Sequence, residues 1–494
     1  MTEPLALLPL ALAAGGGRIS AAGAAPADDF ETQQLIAAGL TLLQRSALLV
    51  RALSGRRSAI LLPTSPAFLT ALAASDGRGA VLINPLAAPA EIAFQCEDSN
   101  VGAIFTTTAF SGRLPDDVTV AYLDEAPRAA RVVGDGRTQD VDLGTHHGLA
   151  LEGQRDVEGR DEEAVIVYTS AMRGIPLGAV LTHRSLLVNA RSTNQALANT
   201  SADHVLSLLP FAHLFGLTGT CSAPLLAGAR LTTMERFHPV KAVELIATGG
   251  ITEIIGVPTV FHALLAALGR RGVDLRHSGL RLSICGGAPL PRELQDRWAD
   301  ATGHELRQGY GLTEAGPVCL FNHVNRPNVR GTMGAALPGV EVGIFQPADY
   351  SGETAVAGDA RELPDGTVGE LCVRGPNVFR GYVGGAAGLP MRGDWLCTGD
   401  ECVRHPDGSV EFLGLVKSMF TRTGFNIYPR ELERVVGAMP GVSGVEVRAI
   451  PEPSKENDIL IRVTGSVTED EVKRWCEPRL SAYKQPSVIE IVAA

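Results

Sequence analysis

The stretch VYTSAMRGIPLGAVLTH (167–183) begins as a buried strand, turns through glycines and ends at the start of a helix. This order is typical of a phosphate-binding loop, in which glycines, hydroxyls and a lysine hold the anion. The middle of this loop instead contains Ala171, Met172, Arg173 and Leu177. The stretch therefore predicts an α/β fold that has the frame of a phosphate-binding loop without its usual donors.

The same alternation of strand and helix extends outward over most of the chain. Several runs are nearly continuously apolar, which indicates strands buried on both faces of a parallel sheet. They are AVLIN (80–84), VGAIFTT (101–107), AVIVYTS (164–170), ITEIIGVP (251–258) and LRLSICGG (280–287). Helical segments such as 239–248 and 258–268 supply the crossovers between these strands. We predict a large N-terminal domain of doubly wound, mostly parallel sheets.

The pattern changes twice toward the C-terminus. After about residue 331, short alternating strands joined by glycine turns predict a small β-barrel-like subdomain. After Lys417, a helix with Pro429 in its first turn is followed by alternating strands and one more helix, as in a small α+β domain. We predict an N-terminal domain at 1–416 and a mobile C-terminal domain at 417–494. The polar, glycine-rich stretch 134–163 is predicted to be a surface excursion.

Length, charge and cysteine content limit the class of protein. A chain of 494 residues is too long for one core, and a net charge of −11 argues against a nucleic-acid-binding protein. Eight scattered cysteines without a C-x-x-C pair favour free thiols in a reducing compartment. No stretch is long enough to span a bilayer, and no basic residue precedes the short apolar run near the N-terminus, as an export signal requires. We expect a cytoplasmic protein without a membrane span.

Several motifs occur in a fixed order along the chain. They are LPFAHLFGL (209–217), GGAPL (286–290), YGLTE (310–314), GELCVRGPNVFRGY (369–382), WLCTGD (395–400) and GFNIYP (424–429). This ordered set resembles the adenylate-forming superfamily of acyl-CoA ligases, luciferases and peptide-synthetase adenylation domains, over nearly the whole chain. The resemblance implies a two-step reaction. A carboxylate first attacks ATP to give an acyl-adenylate, and a thiol then displaces AMP after the C-terminal domain has rotated.

The resemblance assigns a set of residues to the adenylate. Glycines allow the backbone to approach a flat ring, a hydroxyl can contact the α-phosphate, and an ionised carboxylate can accept both ribose hydroxyls. The assigned residues are Gly286, Gly287 and Ala288 along the adenine, Tyr310 stacked near it, Gly311 in the same motif, Thr313 at the α-phosphate, Glu314 at Mg²⁺ and Asp400 at the ribose. Taken singly, each has an ordinary structural explanation, such as a turn aspartate for Asp400 or a surface acid for Glu314.

Three further residues are assigned to the thiol-transfer step by the same resemblance. Lys417 falls at the hinge, where a few backbone dihedrals absorb the domain rotation. Gly424 matches a glycine that lines the pantetheine tunnel, where the absence of a Cβ is the requirement. His213 matches a gate between the nucleotide, the acyl pocket and the tunnel. The structural alternatives are a surface lysine, a plain turn and a buried structural histidine.

The chain departs from the family pattern where the triphosphate is handled. The family loop reads roughly T-S-G-T-T-G-x-P-K-G, of which Thr169, Ser170 and Gly174 survive as scaffold. Ala171 replaces a glycine, Met172 and Arg173 replace hydroxyl donors, and Leu177 replaces the lysine. Leu415 stands where the family has an arginine before the hinge. The P-x-x-x-x-G-K segment with the adenylating lysine does not follow SAYKQPSVIEIVAA, and Lys484 lies before the point where it would begin.

These losses predict an acyl-CoA ligase that performs only thioesterification, converting acyl-adenylate and CoA into acyl-CoA and AMP. The combination of lost and retained motifs also resembles that of non-adenylating members of the superfamily, and that resemblance, not these residues, implies a bulky diterpenoid acyl-adenylate supplied by a separate adenylating ligase. The small residues Gly216, Gly219, Ala223 and Gly228 either leave room for that acyl group or pack a helix tightly. A complete ATP-dependent ligase that uses Arg173, and a catalytically dead AMP-binding relative, remain open alternatives. The need for Mg²⁺, and CoA versus a carrier-protein pantetheine, also stay open.

Overall fold

The computed structural model describes residues 8–75, 77–144, 162–169, 174–350, 356, 361–385, 388–416, 419–452 and 454–492. Its helices are α1 (Leu8–Gly15), α2 (Thr32–Arg45), α3 (Ala47–Ala52), α4 (Pro66–Ala74), α5 (Pro89–Asp98), α6 (His183–Leu197), α7 (Ala223–Leu226), α8 (Pro239–Thr248), α9 (Pro258–Arg271), α10 (Arg292–Thr302), α11 (Pro429–Gly437) and α12 (Glu469–Cys476). A π-helix spans Phe215–Ser222, and short 3₁₀ turns include Thr313–Ala315 and Ala482–Lys484.

The strands are β1 (Arg18–Ala21), β2 (Phe30–Glu31), β3 (Arg57–Leu61), β4 (Ala80–Leu82), β5 (Val101–Thr106), β6 (Thr119–Leu123), β7 (Ala129–Gly134), β8 (Arg137–Asp142), β9 (Glu163–Thr169), β10 (Leu177–Thr182), β11 (His204–Ser207), β12 (Arg230–Thr233), β13 (Glu253–Gly256), β14 (Leu282–Cys285), β15 (Leu306–Gly311), β16 (Val318–Phe321), β17 (Ala335–Ala336), β18 (Glu341–Phe345), β19 (Val368–Arg374), β20 (Gly381–Tyr382), β21 (Met391–Arg392), β22 (Trp395–Arg404), β23 (Val410–Leu415), β24 (Phe420–Arg422), β25 (Phe425–Ile427), β26 (Val442–Glu452), β27 (Glu456–Gly465) and β28 (Val488–Val492).

Two nine-stranded sheets form most of the molecule. One has the order β17-β16-β15-β14-β13-β11-β12-β1-β2, and the other has the order β20-β10-β9-β4-β3-β5-β6-β7-β8. The central strands pair in parallel, whereas the edge strands pair antiparallel. The central strands β5 and β14 are buried along their whole length, as the continuous apolar runs predict for strands covered on both faces.

The remaining strands form smaller sheets. Strands β18, β19, β22, β21 and β23 make an antiparallel five-stranded sheet that packs beside the first large sheet. Strands β24 and β25 form a hairpin, and β26, β27 and β28 form a three-stranded sheet covered by α11 and α12. We call residues 419–492 the C-terminal module, because their apolar side chains form a core of their own.

The predicted fold class is confirmed: a large mixed α/β part is followed by an antiparallel half-barrel sheet and a small α+β part. Helix α8 coincides with the predicted segment 239–248. The stretch 134–163 is not entirely a surface excursion, because β8 lies within it and pairs antiparallel with β7. Residues 145–161 lie outside the described residues. The boundary between residues 416 and 417 stays a prediction. Within the described ranges, no helix is both long and apolar enough to cross a bilayer.

Candidate functional site

A large cavity lies where the carboxyl ends of the central strands meet the C-terminal module. Its volume is about 500 Å³. Ligands in open α/β sheets bind outside the carboxyl ends of the strands. In this chain, β9 and β14 end at the cavity. The predicted site residues that line it are Thr169, Leu177, His213, Gly286, Gly287, Ala288, Tyr310, Gly311, Thr313, Glu314, Asp400 and Gly424. Segments up to 255 residues apart in sequence therefore form one site, although the chemical role of each residue stays a prediction.

The loop after β14 gives the cavity one flat wall. A Cβ on Gly286 would lie 3.1 Å from the carbonyl oxygen of Gly309 and 3.1 Å from the ring of Phe215. Gly287 has a φ of +77°, which favours glycine. Both positions thus require glycine for steric or backbone reasons, and the bare backbone that results can lie against a planar base.

Asp400 and Tyr310 form a buried hydrogen-bonded pair at this wall. The Tyr310 hydroxyl donates to Oδ2 of Asp400 over 2.5 Å, and Asp400 is 8% exposed. Burial, together with the neighbouring Asp400 carboxylate, raises the pKa of Tyr310 well above its usual value, so the phenol remains a neutral donor. A carboxylate has four acceptor positions, and Tyr310 uses one of them. Asp400 can therefore still accept the two hydroxyls of a ribose.

Glu314 is held by two protein hydroxyls. Its Oε1 accepts from Thr169 Oγ1 over 3.1 Å and from the Tyr382 hydroxyl over 2.9 Å. Tyr382, which the sequence reasoning missed, lies in the motif GELCVRGPNVFRGY. One carboxylate is not a metal site in itself, because Mg²⁺ takes most of its ligands from water and substrate phosphates. Glu314 could contribute one oxygen to Mg²⁺, but only together with a bound phosphate group.

His213 lies just before the π-helix and faces the cavity. Its Nδ1 accepts a hydrogen bond from the backbone N–H of Phe215 over 3.2 Å. Burial lowers the pKa of His213 to about 4, because the imidazolium would lose its hydration. The ring is therefore neutral at physiological pH, with its proton on Nε2. It can donate one hydrogen bond into the cavity but cannot act there as a general acid.

The degenerate loop is described only at its ends. Ser170, Ala171, Met172 and Arg173 lie outside the described residues, as does Lys417 at the predicted hinge. Leu177 lines the cavity and presents an apolar side chain where a phosphate-binding lysine would stand. The position at which the sequence predicts the loss of a lysine therefore lies on the cavity wall, and the functional consequence stays a prediction.

The far end of this loop contacts the C-terminal module. Gly174 has a φ of +72°, and its carbonyl oxygen accepts from Nε of Arg434 over 2.8 Å. A Cβ at Gly174 would lie 2.6 Å from the carbonyl oxygen of Arg430. The first turns of α11 therefore dock directly on the loop.

Gly424 lies at the turn of the β24–β25 hairpin, which enters the cavity from the C-terminal module. Its φ is +79°, and a Cβ there would lie 2.7 Å from Val257 of the larger part. Its backbone N–H donates to Glu456 over 3.3 Å. The absence of a side chain at Gly424 is thus what permits this close approach.

Leu415 lies directly opposite Asp400 in the antiparallel pair of β22 and β23. It is 36% exposed and lines the cavity. An arginine at this position would therefore project beside Asp400, the carboxylate predicted to bind the ribose, and this chain has an apolar side chain there. We expect the nucleotide to be held with fewer charged contacts than in relatives that keep the arginine.

One part of the cavity lining is apolar. It is formed by residues of one packed cluster, namely Ala196, Leu197, Phe215, Ile255, Ile284, Val318, Phe321 and Leu337. Of the small residues predicted near an acyl pocket, only Gly219 lines the cavity. A Cβ on Gly216 would meet the carbonyl oxygen of Pro210 at 2.0 Å, Ala223 is fully buried, and Gly228 packs against Gly15 and Ser201. For those three, tight packing is the correct explanation.

Besides Tyr382, the cavity residues Gln308 and Lys484 were not found from the sequence. Gln308 precedes Tyr310 by two positions on β15, and it lines the cavity at 6% exposure. The period of two in a strand could have suggested that it shares a face with Tyr310. Lys484 also lines the cavity. No local pattern points to Lys484, because its ionic partners are distant in sequence.

This site, on this fold, is that of an adenylate-forming enzyme, and comparison with known proteins identifies the family. The profile of AMP-binding enzymes matches residues 45–383. A long-chain-fatty-acid–CoA ligase from Escherichia coli O6:H1 is 30% identical over 472 residues, covering 88% of this chain and 82% of that protein. A feruloyl-CoA synthase from Amycolatopsis sp. is 32% identical over 445 residues, covering 88% and 84%. The chain belongs to the AMP-binding enzyme family.

Solved structures agree with the fold. A double mutant of o-succinylbenzoate CoA synthetase from Bacillus subtilis, bound to a product analogue, superposes with a TM-score of 0.79 at 22% identity. The match covers 98% of this chain and 95% of that chain. Together with the curated relatives, this makes the protein an enzyme of the acyl-CoA ligase type.

Proposed function

We propose that this enzyme catalyses only the second half-reaction of an acyl-CoA ligase, in which an acyl-adenylate and CoA give acyl-CoA and AMP. One observation carries the proposal: the cavity keeps the Tyr310–Asp400 pair and Gly424, whereas Leu177 occupies the lysine position on the same wall. The retained groups serve an adenylate and an incoming thiol. The lost groups would stabilise the charge that develops as pyrophosphate leaves.

The energetic asymmetry between the two steps supports this division. Removing one preorganised donor to a developing charge costs about 3 kcal/mol, and the losses here include charged donors. Thiol attack on a finished adenylate needs none of them. The sulfur bonds to the acyl carbonyl carbon, the bond from that carbon to the phosphate oxygen breaks, AMP leaves as an anion, and the thiol proton passes to water. An alkyl thiol has a pKa near ~8.5, so some thiolate exists at neutral pH without a dedicated base.

Positioning is then the main contribution of the protein. Asp400 and the glycine wall would hold the nucleotide, Thr313, which also lines the cavity, would contact the α-phosphate, and Gly424 would admit the thiol arm. Neutral His213 can donate Nε2–H to an oxygen of the adenylate without moving a proton. We expect Mg²⁺ to be dispensable, because the groups it would neutralise on a triphosphate are absent from an acyl-adenylate.

The substrate that we propose is a bulky apolar acyl-adenylate. The apolar part of the cavity lining and its Gly219 suit such a group. The combination of lost and retained motifs resembles that of the non-adenylating acyl-CoA ligase of platensimycin and platencin biosynthesis. By that resemblance the acyl group is a diterpenoid acid, and a separate adenylating ligase supplies its adenylate.

Supplying the substrates of each half-reaction separately tests the proposal. Purified full-length protein receives either synthetic acyl-adenylates with CoA, or the matched free acids with ATP and CoA, with and without Mg²⁺. We expect thioester from the adenylates, and at least about 1,000-fold less from the free acids, because two or more charge-stabilising donors are missing. Acid-dependent exchange of labelled pyrophosphate into ATP should stay at background.

Two outcomes would support the other candidates. The curated relatives are named as complete ligases, so rapid thioester formation from free acid and ATP would make this chain one of them. AMP binding without thioester formation from any adenylate or thiol would indicate a catalytically dead relative. A phosphopantetheinylated carrier protein, assayed beside CoA, identifies the thiol.

Enlarging Gly219 should narrow the range of acyl groups. A Cβ there would make ordinary contacts, at 3.4 Å from Phe215 and 3.6 Å from Ile255, so the further carbons of Gly219→Leu extend into the cavity. We expect kcat/KM for polycyclic acyl-adenylates to fall about 30-fold or more, while that for acetyl-adenylate changes little. Gly269→Leu is the control, because Gly269 lies on the exposed side of α9 with no atom within 4 Å. Equal losses for both acyl sizes would place the acyl group elsewhere.

A further inference from the structure

A buried ionic cluster joins the C-terminal module to the larger part of the molecule. Nζ of Lys484 lies 2.9 Å from Oε1 of Glu91 and 2.7 Å from Oε1 of Glu431. Ser481 donates its hydroxyl to the other oxygen of Glu91. Lys484, Ser481 and Glu431 belong to the C-terminal module, whereas Glu91 is in the first turn of α5. We call these four residues the Lys484 bridge.

The charges of the bridge depend on one another. Lys484 is 4% exposed, and a buried ammonium is tolerated only when it is paired. Burial alone would lower the pKa of Lys484, but Tyr483, Glu431 and Glu91 together raise it above its usual value, so the lysine stays charged. Without that cation, two buried carboxylates would face each other across the interface. The bridge therefore holds the two parts together only while Lys484 is present between the acids.

The bridge is coupled to the hairpin that carries Gly424. The ring of Tyr483, next to Lys484, stacks on the ring of Phe425, next to Gly424, with centroids 4.2 Å apart. Glu431 is the third residue of α11. This helix follows the same hairpin and contacts Gly174 through Arg430 and Arg434. A displacement of Lys484 relative to Glu91 would therefore move the hairpin within the cavity.

We propose that Lys484 is a positioning residue, which acts through Glu91 to hold the C-terminal module where Gly424 lines the cavity. Its effect on turnover rests on the proposed thioesterification function. An enzyme without an adenylation step has no need to leave this arrangement in each cycle. A buried bridge that fixes one arrangement is compatible with that function, whereas alternation between two arrangements would require breaking the bridge each time.

The position of the C-terminal module can be measured independently of catalysis. A donor and an acceptor dye are attached to E97C on α5 and E469C on α12, two exposed positions, while all eight native cysteines are buried. Energy transfer is then compared among the parent protein, Glu91→Ala, Lys484→Met and the double variant. Lys473→Met is the control for loss of an exposed lysine in the same module, since Lys473 pairs with Glu469 within α12; because the dye at E469C removes that partner, this variant is compared with the unlabelled parent protein in the turnover assay.

We expect both single variants to shift the energy transfer to a second population and to lower kcat with saturating acyl-adenylate by about tenfold or more. Affinity for a non-reactive acyl-sulfamoyl adenosine should change less than about threefold, because its contacts lie mainly in the larger part. The double variant should be no worse than the worse single variant. A purely structural defect would instead lower affinity and kcat together and reduce the circular-dichroism melting temperature.

The remaining outcomes distinguish failure of the Lys484 bridge from failure of the proposed function. Unchanged energy transfer and unchanged kcat in Glu91→Ala would overturn the proposed positioning role of the Lys484 bridge. Because Glu91→Ala keeps the Lys484–Glu431 pair, this variant tests the proposal even if Lys484→Met does not fold. If the parent protein forms no thioester, the proposed function fails, but the energy-transfer comparison still shows whether the bridge sets the arrangement.

Discussion

Gly424→Ala should reduce thioester formation about 100-fold while the protein still binds the adenylate. The added Cβ would lie 2.7 Å from Val257, closer than real Cβ contacts come, and the φ of +79° also disfavours alanine. The hairpin must therefore retreat from the cavity wall along which the thiol arrives. A displacement of about 1 Å from the reactive geometry can cost 100-fold in rate. Single-turnover kinetics with preformed acyl-adenylate and CoA measure the effect.

Two further variants separate the clash from the backbone strain. Gly408→Ala introduces alanine at a φ of +83° with no atom within 4 Å of the new Cβ, so it reports the cost of strain alone. Val257→Ala combined with Gly424→Ala removes the two methyl groups that crowd the new Cβ and should recover part of the rate. If Gly424→Ala turned over like the parent protein, the hairpin would not border the path of the thiol.

The architecture was predictable because buried strands and helices have characteristic patterns of apolar residues in the local sequence. The central strands are continuously apolar, and helices between them begin at prolines such as Pro239 and Pro258. The edges of the sheets were not predictable in this way. The β7–β8 hairpin is half exposed, and its alternation is interrupted by the glycine turn. Its polar residues therefore looked like a loop.

The site residues likewise include some that the sequence could predict and some that it could not. Residues within contiguous motifs, such as Gly286 and Tyr310, could be predicted because each motif brings its own backbone geometry. The Lys484 bridge could not, because Glu91 is 393 residues away and Glu431 is 53 residues away. The pairing of Leu415 with Asp400 depends on strand register, which one sequence does not specify. Folding is what converts these distant residues into neighbours.

Asp400→Ala should have the largest effect on binding of any single change in the cavity. An ionised carboxylate that accepts two ribose hydroxyls makes two charge-assisted hydrogen bonds, each worth about 1.5–3 kcal/mol. Losing both bonds removes about 3–6 kcal/mol, so we expect AMP and acyl-sulfamoyl adenosine to bind at least about 100-fold more weakly. The variant also leaves the Tyr310 hydroxyl without its buried acceptor, which adds to the cost. Isothermal titration calorimetry measures both affinities directly.

Matched variants test whether nucleotide affinity depends on the Asp400 carboxylate itself or on its hydrogen bond with Tyr310. Tyr310→Phe keeps the acceptor and removes one internal hydrogen bond, so we expect it to weaken binding about tenfold at most. Asp407→Ala removes an exposed turn aspartate of the same sheet, which accepts hydrogen bonds from neighbouring Ser409, and should leave nucleotide affinity unchanged. A 2′,3′-dideoxy analogue of AMP completes the cycle: it should bind weakly to the parent protein and lose little more in Asp400→Ala. Equal losses for AMP and its dideoxy analogue in that variant would mean that Asp400 supports the wall of the cavity and does not hold the ribose.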